Sequence, residues 1–304
     1  MQTSADKTEF PLIPSHEGSK RFSGLFFIQL IVCLLLPVSF AFADNTIPFL
    51  KVKGTTVKDP PPSRILSLDL CTDWMLAKYA NPSQVLALSP LVHQYPVNWL
   101  ENSWPTHDGS LEQILELKPD LVITGEYNAL LLRQRLQELG IKVAILKLPK
   151  NLGQMTEYEK HFLSLIGASS TLVKQPVLSQ AVSQTNRHSH NRQPRLLLLG
   201  ANGIGTGQQT FENDIIKHAG WANYLHANGY INLDLEQIVS DPPDAILWSA
   251  PASTALSNLF AQHPVLKQVV PKNRWLTTEH WKWRCPGPWT WDLVNELHDL
   301  LPQK

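Results

Sequence analysis

From Arg64 onward, short apolar runs alternate with segments whose apolar residues recur at helical spacing. Residues 65–68 predict a strand, 74–79 a helix and 85–88 a second strand. Ser110 then stands where a helix over 111–117 needs its cap, Pro119 stops that helix, and 121–124 is apolar enough for a strand buried on both faces. A helix over 130–139 ends at Gly140, and 143–146 predicts the next strand. Strands and helices in alternation predict an α/β fold built on parallel sheets.

The pattern returns. Ser110-Leu-Glu-Gln-Ile-Leu-Glu-Leu-Lys-Pro-Asp reappears as Asp234-Leu-Glu-Gln-Ile-Val-Ser-Asp-Pro-Pro-Asp, with Leu, Glu, Gln, Ile, Pro and Asp in register. Arg64-Ile-Leu-Ser-Leu is echoed by Arg195-Leu-Leu-Leu-Leu. Two copies are too few for a solenoid and predict two similar Rossmann-like lobes, 63–153 and 194–304. Between them, residues 154–193 carry no strand pattern but place Tyr158, Phe162, Leu165 and Ile166 at helical spacing, with Gly167 and Pro176 as breaks. This predicts a single long helical connector, a short helix followed by a longer one. His188 and His190 near its end resemble a metal pair but are read as part of a solvated helix end.

The first residues have a different pattern. A polar stretch ending in Lys20-Arg21 precedes an apolar run, 25–40, which closes on Ala41-Phe42-Ala43. The run is short for a bilayer span of ~20 residues, so 1–43 is read as a cleavable signal peptide and 44–62 as a linker. The expected location is a Gram-negative periplasm. Cys33 lies within the signal, leaving Cys71 and Cys285 in an oxidising compartment, either disulfide-bonded or separately buried. With 26 basic and 26 acidic side chains in 304 residues and no basic cluster, a nucleic-acid partner is not expected. The 10 Trp against 6 Tyr are more telling, because indoles suit stacking on a large ring-containing ligand as well as filling cores.

Two α/β lobes on a helical backbone behind an export signal resemble the periplasmic binding proteins of ABC importers for cobalamin and iron–siderophore complexes. The resemblance is carried by Arg64-Ile-Leu-Ser-Leu, the Ser110 segment, Gly140-Ile-Lys-Val and Phe211-Glu-Asn-Asp-Ile-Ile-Lys-His-Ala-Gly-Trp-Ala-Asn, and covers about residues 63–302. It implies a monomeric, non-catalytic receptor without a resident cofactor or metal. The receptor captures a metal-bearing organic complex between its lobes and delivers it to the permease dimer of an ABC transporter. It also implies permease docking through Glu112 and Glu236, one per lobe. A carboxylate in the first turn of a helix is favoured by the helix dipole and stays free to pair with a partner's arginine, or serves only its own helix.

Open α/β sheets place ligands at the carboxyl ends of their strands. In the first lobe these ends carry Asp69 and Asp73, then His93 and Tyr95, then Tyr127. In the second they carry Gly205, Thr206 and Trp248, followed by the dense cluster Trp281, Trp283, Arg284 and Trp289, which would stack on a ligand or pack the lobes together. Neutral charge and clustered indoles favour a corrinoid over a trianionic ferric siderophore. Haem is an alternative, with Tyr95, Tyr127 or His93 as axial ligand. A bare-metal receptor would draw on His93, His107, His218, His226 or His280, which lack paired spacing. An exported enzyme would need Cys71 activated beside Asp69, Asp73 and His93, yet adjacent carboxylates oppose thiolate formation. Gly203, Gly205 and Gly207 do not keep dinucleotide-loop spacing.

Overall fold

The computed structural model describes residues 60–101, 103–173, 192–250 and 256–302. The expected signal peptide, most of the expected linker and the second half of the expected connector lie outside the described residues.

The first lobe runs β1 (Ile65–Ser67), α1 (Leu70–Tyr79), β2 (Val85–Ala87), α2 (Leu91–Gln94), α3 (Leu111–Leu117), β3 (Leu121–Gly125), α4 (Leu130–Glu138) and β4 (Val143–Leu146). Its sheet is wholly parallel, in the order β2-β1-β3-β4. Helix α5 (Met155–Leu165) follows as the described part of the connector. The second lobe begins with β5 (Arg195–Leu199), β6 (Ile204–Thr206), α6 (Phe211–His218), β7 (Ala222–Asn223) and β8 (Tyr230–Asn232). It continues with α7 (Leu235–Ser240), β9 (Ala245–Trp248), α8 (Pro264–Val269), β10 (Trp275–Leu276) and α9 (Thr290–Asp299). Strands β7, β5, β9 and β10 pair in that order, all parallel, and so repeat the order of the first sheet. The second lobe adds an antiparallel ribbon, β6 with β8, attached to the end of β5 at Leu199 and Gly205.

Physical roles explain the repeated motif. Ser110 and Asp234 cap α3 and α7 by accepting the backbone N–H of Gln113 and Glu236. The Asp that follows each helix anchors the start of the lobe's first strand: Asp120 accepts the Arg64 N–H at 3.0 Å and Asp244 the Arg195 N–H at 2.7 Å. The two arginines in turn satisfy carbonyls left open beyond the helix ends, Lys118 O at 3.0 Å and Pro242 O at 2.8 Å.

Both faces of each sheet are covered, as near-continuous apolar strands require. Successive residues alternate between separate cores. Leu66 and Val122 enter an outer cluster of the first lobe and Leu197, Leu199 and Ile246 an outer cluster of the second. Ile65, Leu121 and Ile123 share one inner cluster with Leu196, Leu198 and Leu247, and α5 contributes Met155 and Phe162 to it. The lobes are thus fused along their inner faces through helices. They are also joined covalently, since Cys71 in the first turn of α1 and Cys285 in the loop before α9 form a disulfide.

Candidate functional site

Fusion on one side leaves an open cleft at the carboxyl ends of the strands, with a cavity of about 870 Å³. The first lobe contributes Glu126 and Tyr127 after β3 and the segment Leu148 to Asn151 after β4. The second contributes the start of α6, Tyr230 of the ribbon, and the segment from Lys282 to Pro286. A side chamber of about 250 Å³, lined by Leu198, Asn202, Ile204, Thr206 and Ser249, shares the walls Glu212, Tyr230 and Trp283 with the main cavity.

Local bonds fix these walls. Arg133 donates to the carbonyls of Gly125 and Glu126 at 3.2 and 2.8 Å, holding the turn that presents Tyr127, whose side chain is 72% exposed. Thr210 caps α6 by accepting the Asn213 N–H at 3.1 Å, which puts Glu212 in the first turn. The chain leaving β6 packs tightly on the segment that leads into β8: a Cβ on Gly207 would stand 2.1 Å from the Ala227 carbonyl, so only glycine fits.

Most charges in the cleft are already engaged. Glu126 accepts the Leu148 N–H at 2.9 Å and Asp214 the Leu152 N–H at 2.7 Å. Lys282 is paired with Glu279 at 3.0 Å and with Glu296. The Arg284 guanidinium lies 4.4 Å from the centre of the Tyr95 ring, a cation–π contact. Glu212 differs: its two oxygens both receive the Tyr230 hydroxyl at 3.1 Å, and burial holds its carboxyl above the ordinary carboxylate range.

Of the residues expected at the site, Tyr127, Trp283 and Arg284 line the main cavity and Thr206 lines the side chamber. Others lie elsewhere. Asp69 is the cap of α1, accepting the N–H groups of Cys71 and Thr72 and, across the sheet end, of Gly125. Asp73 is fully buried and accepts the Ser89 N–H at 2.8 Å together with the Ser89 hydroxyl; burial pushes its pKa up to about 7. Trp281 and Trp289 pack edge-on against the buried Trp74 at 5.5 and 5.8 Å, completing the interior between the lobes. Gly205 is enclosed by Leu225 and Leu233, and Trp248 packs on the outer core of the second lobe. His93 bonds Thr106 at 3.2 Å in a separate small pocket, while Tyr95 supports Arg284. Glu112 and Glu236 are exposed in the first turns of α3 and α7.

Sequence reasoning missed Glu212, Tyr230 and Lys150 on the cleft walls. The signal available for Glu212 was its place behind the capping Thr210 at the end of a glycine-rich strand exit. Among the described residues, no group of three or more His, Cys, Asp and Glu side chains is arranged to hold a metal ion, and no helix is long and apolar enough to cross a membrane.

No protein-family model matches the chain, and no curated protein does. Solved structures do. A periplasmic haem-binding protein from Pseudomonas aeruginosa is 18% identical, with a TM-score of 0.62 over 79% of this chain and 92% of its own. The periplasmic haem-binding protein RhuT from Roseiflexus sp. RS-1 is 18% identical, with a TM-score of 0.61 over 78% and 97%. CeuE of Helicobacter pylori with Ni(II) bound is 15% identical, with a TM-score of 0.57 over 79% and 84%. The duplicated parallel sheets, the helical junction and these likenesses together give the chain the two-lobed α/β fold of the periplasmic substrate-binding proteins.

Proposed function

We propose that this protein is an exported receptor that captures a metal-bearing organic complex in its cleft and passes it to the permease of an ABC importer. The observation that carries this reading is the cavity of about 870 Å³ between two lobes of equal strand order, at the carboxyl ends of their strands. Its size falls in the range of about 300–1,000 Å³ typical of sites for organic ligands. Its walls combine the exposed Tyr127 and Tyr230 with Trp283 and Arg284, which suits a ligand with both ring surface and polar edges.

Corrinoids, ferric siderophores and haem all belong to the ligand class. With Trp281 and Trp289 engaged in packing, Trp283 is the indole of that cluster left on the cavity wall. A second reading, haem, is favoured by Tyr127, whose exposed hydroxyl could serve as an axial ligand. Glu112 and Glu236 occupy equivalent exposed first turns, so a two-fold permease could engage both with matching arginines.

The test is titration of the purified chain with haemin, cyanocobalamin, a ferric catecholate and a ferric hydroxamate, followed by absorption and tryptophan fluorescence. Saturable binding of one of them at micromolar concentration or tighter is expected. Silence from all four would refute a metal-complex ligand.

A further inference from the structure

The carboxylate of Glu212 stands on the wall common to the main cavity and the side chamber. A carboxylate offers about four lone-pair sites. Here its partners are all neutral: the Tyr230 hydroxyl, shared between both oxygens at 3.1 Å, and its own backbone N–H. The other acidic side chains on the main cavity each hold the backbone N–H of a residue distant in sequence: Glu126 that of Leu148 and Asp214 that of Leu152. No lysine, arginine or histidine lines the chamber among the described residues; the cationic residues Lys150, Lys282 and Arg284 line the main cavity only. The positive end of α6 eases the charge on Glu212 but is not a counter-ion. An anion withdrawn from water without a cation is unfavourable, and a ligand that brings the cation removes the penalty.

The remaining chamber walls narrow the chemistry. Trp283 spends its indole N–H on the Thr278 hydroxyl at 2.8 Å, so it meets the chamber as aromatic surface and not as a donor. Leu198 and Ile204 are apolar, and Ser249 and Asn202 supply neutral polar atoms. One acceptor anion, an aromatic wall and apolar sides suit an alkylammonium group and repel a carboxylate. We propose that the side chamber is a subsite for a protonated primary amine arm of the bound complex, with Glu212 as its acceptor and Trp283 as its aromatic wall. The proposal rests on the receptor reading only for how such an arm is delivered.

Benzylamine and benzyl alcohol, titrated on the full chain by saturation-transfer NMR, test the subsite without a metal complex. Benzylamine is expected to bind at least tenfold more tightly than the alcohol. Glu212→Gln should abolish that preference, with the melting transition showing that the variant is folded. Tyr230→Phe, which removes the competing donor, should retain it. Equal binding of amine and alcohol to the unaltered chain, or a preference that survives Glu212→Gln, overturns the proposal. With metal complexes, ferrioxamine B should bind more tightly than its N-acetyl derivative. If all metal complexes fail to bind while the benzylamine preference stands, the receptor reading falls and the subsite remains.

Discussion

Replacing Asp73 by Asn should change how the stability of the protein depends on pH. Asp73 lies in α1 with no exposed surface, and its carboxyl accepts the N–H and hydroxyl of Ser89. Burial outweighs those bonds and raises its pKa from 3.8 to about 7, with the nearby Asp69 adding in the same direction. The folded chain therefore keeps a proton that the unfolded chain releases. Its contribution to stability is greatest below the unfolded pKa, declines as pH rises, and levels off above the folded one. At 1.36 kcal/mol per pKa unit, the whole decline is about 4 kcal/mol. Denaturant unfolding of both proteins, disulfide intact, at several pH values from about 4 to about 8 gives the difference in stability, in which other titrating groups cancel. That difference should move against the Asp form by about 1.4 kcal/mol per pH unit through the middle of the window. A difference that is flat with pH would refute the reasoning. One that moved in favour of the Asp form would mean that Ser89 stabilises a charged carboxylate.

Two further outcomes are expected. The Cys71–Cys285 bond spans 214 positions, and the chain-entropy relation gives it about 5 kcal/mol as an upper value. The Cys71→Ser/Cys285→Ser variant should lose several kcal/mol in denaturant unfolding, and a loss below about 1 kcal/mol would contradict a bond that restrains the unfolded chain. Charge reversal of both Glu112 and Glu236 to Lys should leave ligand affinity unchanged and abolish uptake in cells, whereas lost affinity would remove these residues from a docking role.

The duplicated lobe was legible in the sequence because its motif is structural at each position: cap, buried Ile, stop and strand anchor all have local causes. The strands and helices around it were legible for the same reason, as Ser110 and Asp234 illustrate. The cleft was less so. Asp69 and Asp73 stand at a strand exit, where ligand-binding carboxylates are also found, and only the partners Gly125 and Ser89, distant in sequence, distinguish the two roles. Trp281 and Trp289 were equally consistent with a platform and with packing until Trp74 came to meet them. The β6–β8 ribbon breaks the parallel pattern with strands of three residues each, too short for periodicity to register. Its cost was Tyr230, and with Tyr230 the environment of Glu212.

The indole packing on Trp74 and the bond to Cys71 connect the first helix of the first lobe with a segment near the end of the chain. A ribosome releases the N-terminal end first, so the first lobe exists long before residues 281–289 are made. During that interval Trp74 lacks two of its ring neighbours and Cys71 is a thiol without its partner. The Cys71–Cys285 bond can therefore close only once residue 285 has been made. A chain truncated before Trp281 lacks both indoles that pack on Trp74 and the cysteine that bonds Cys71, so the interior of its first lobe stays unsealed.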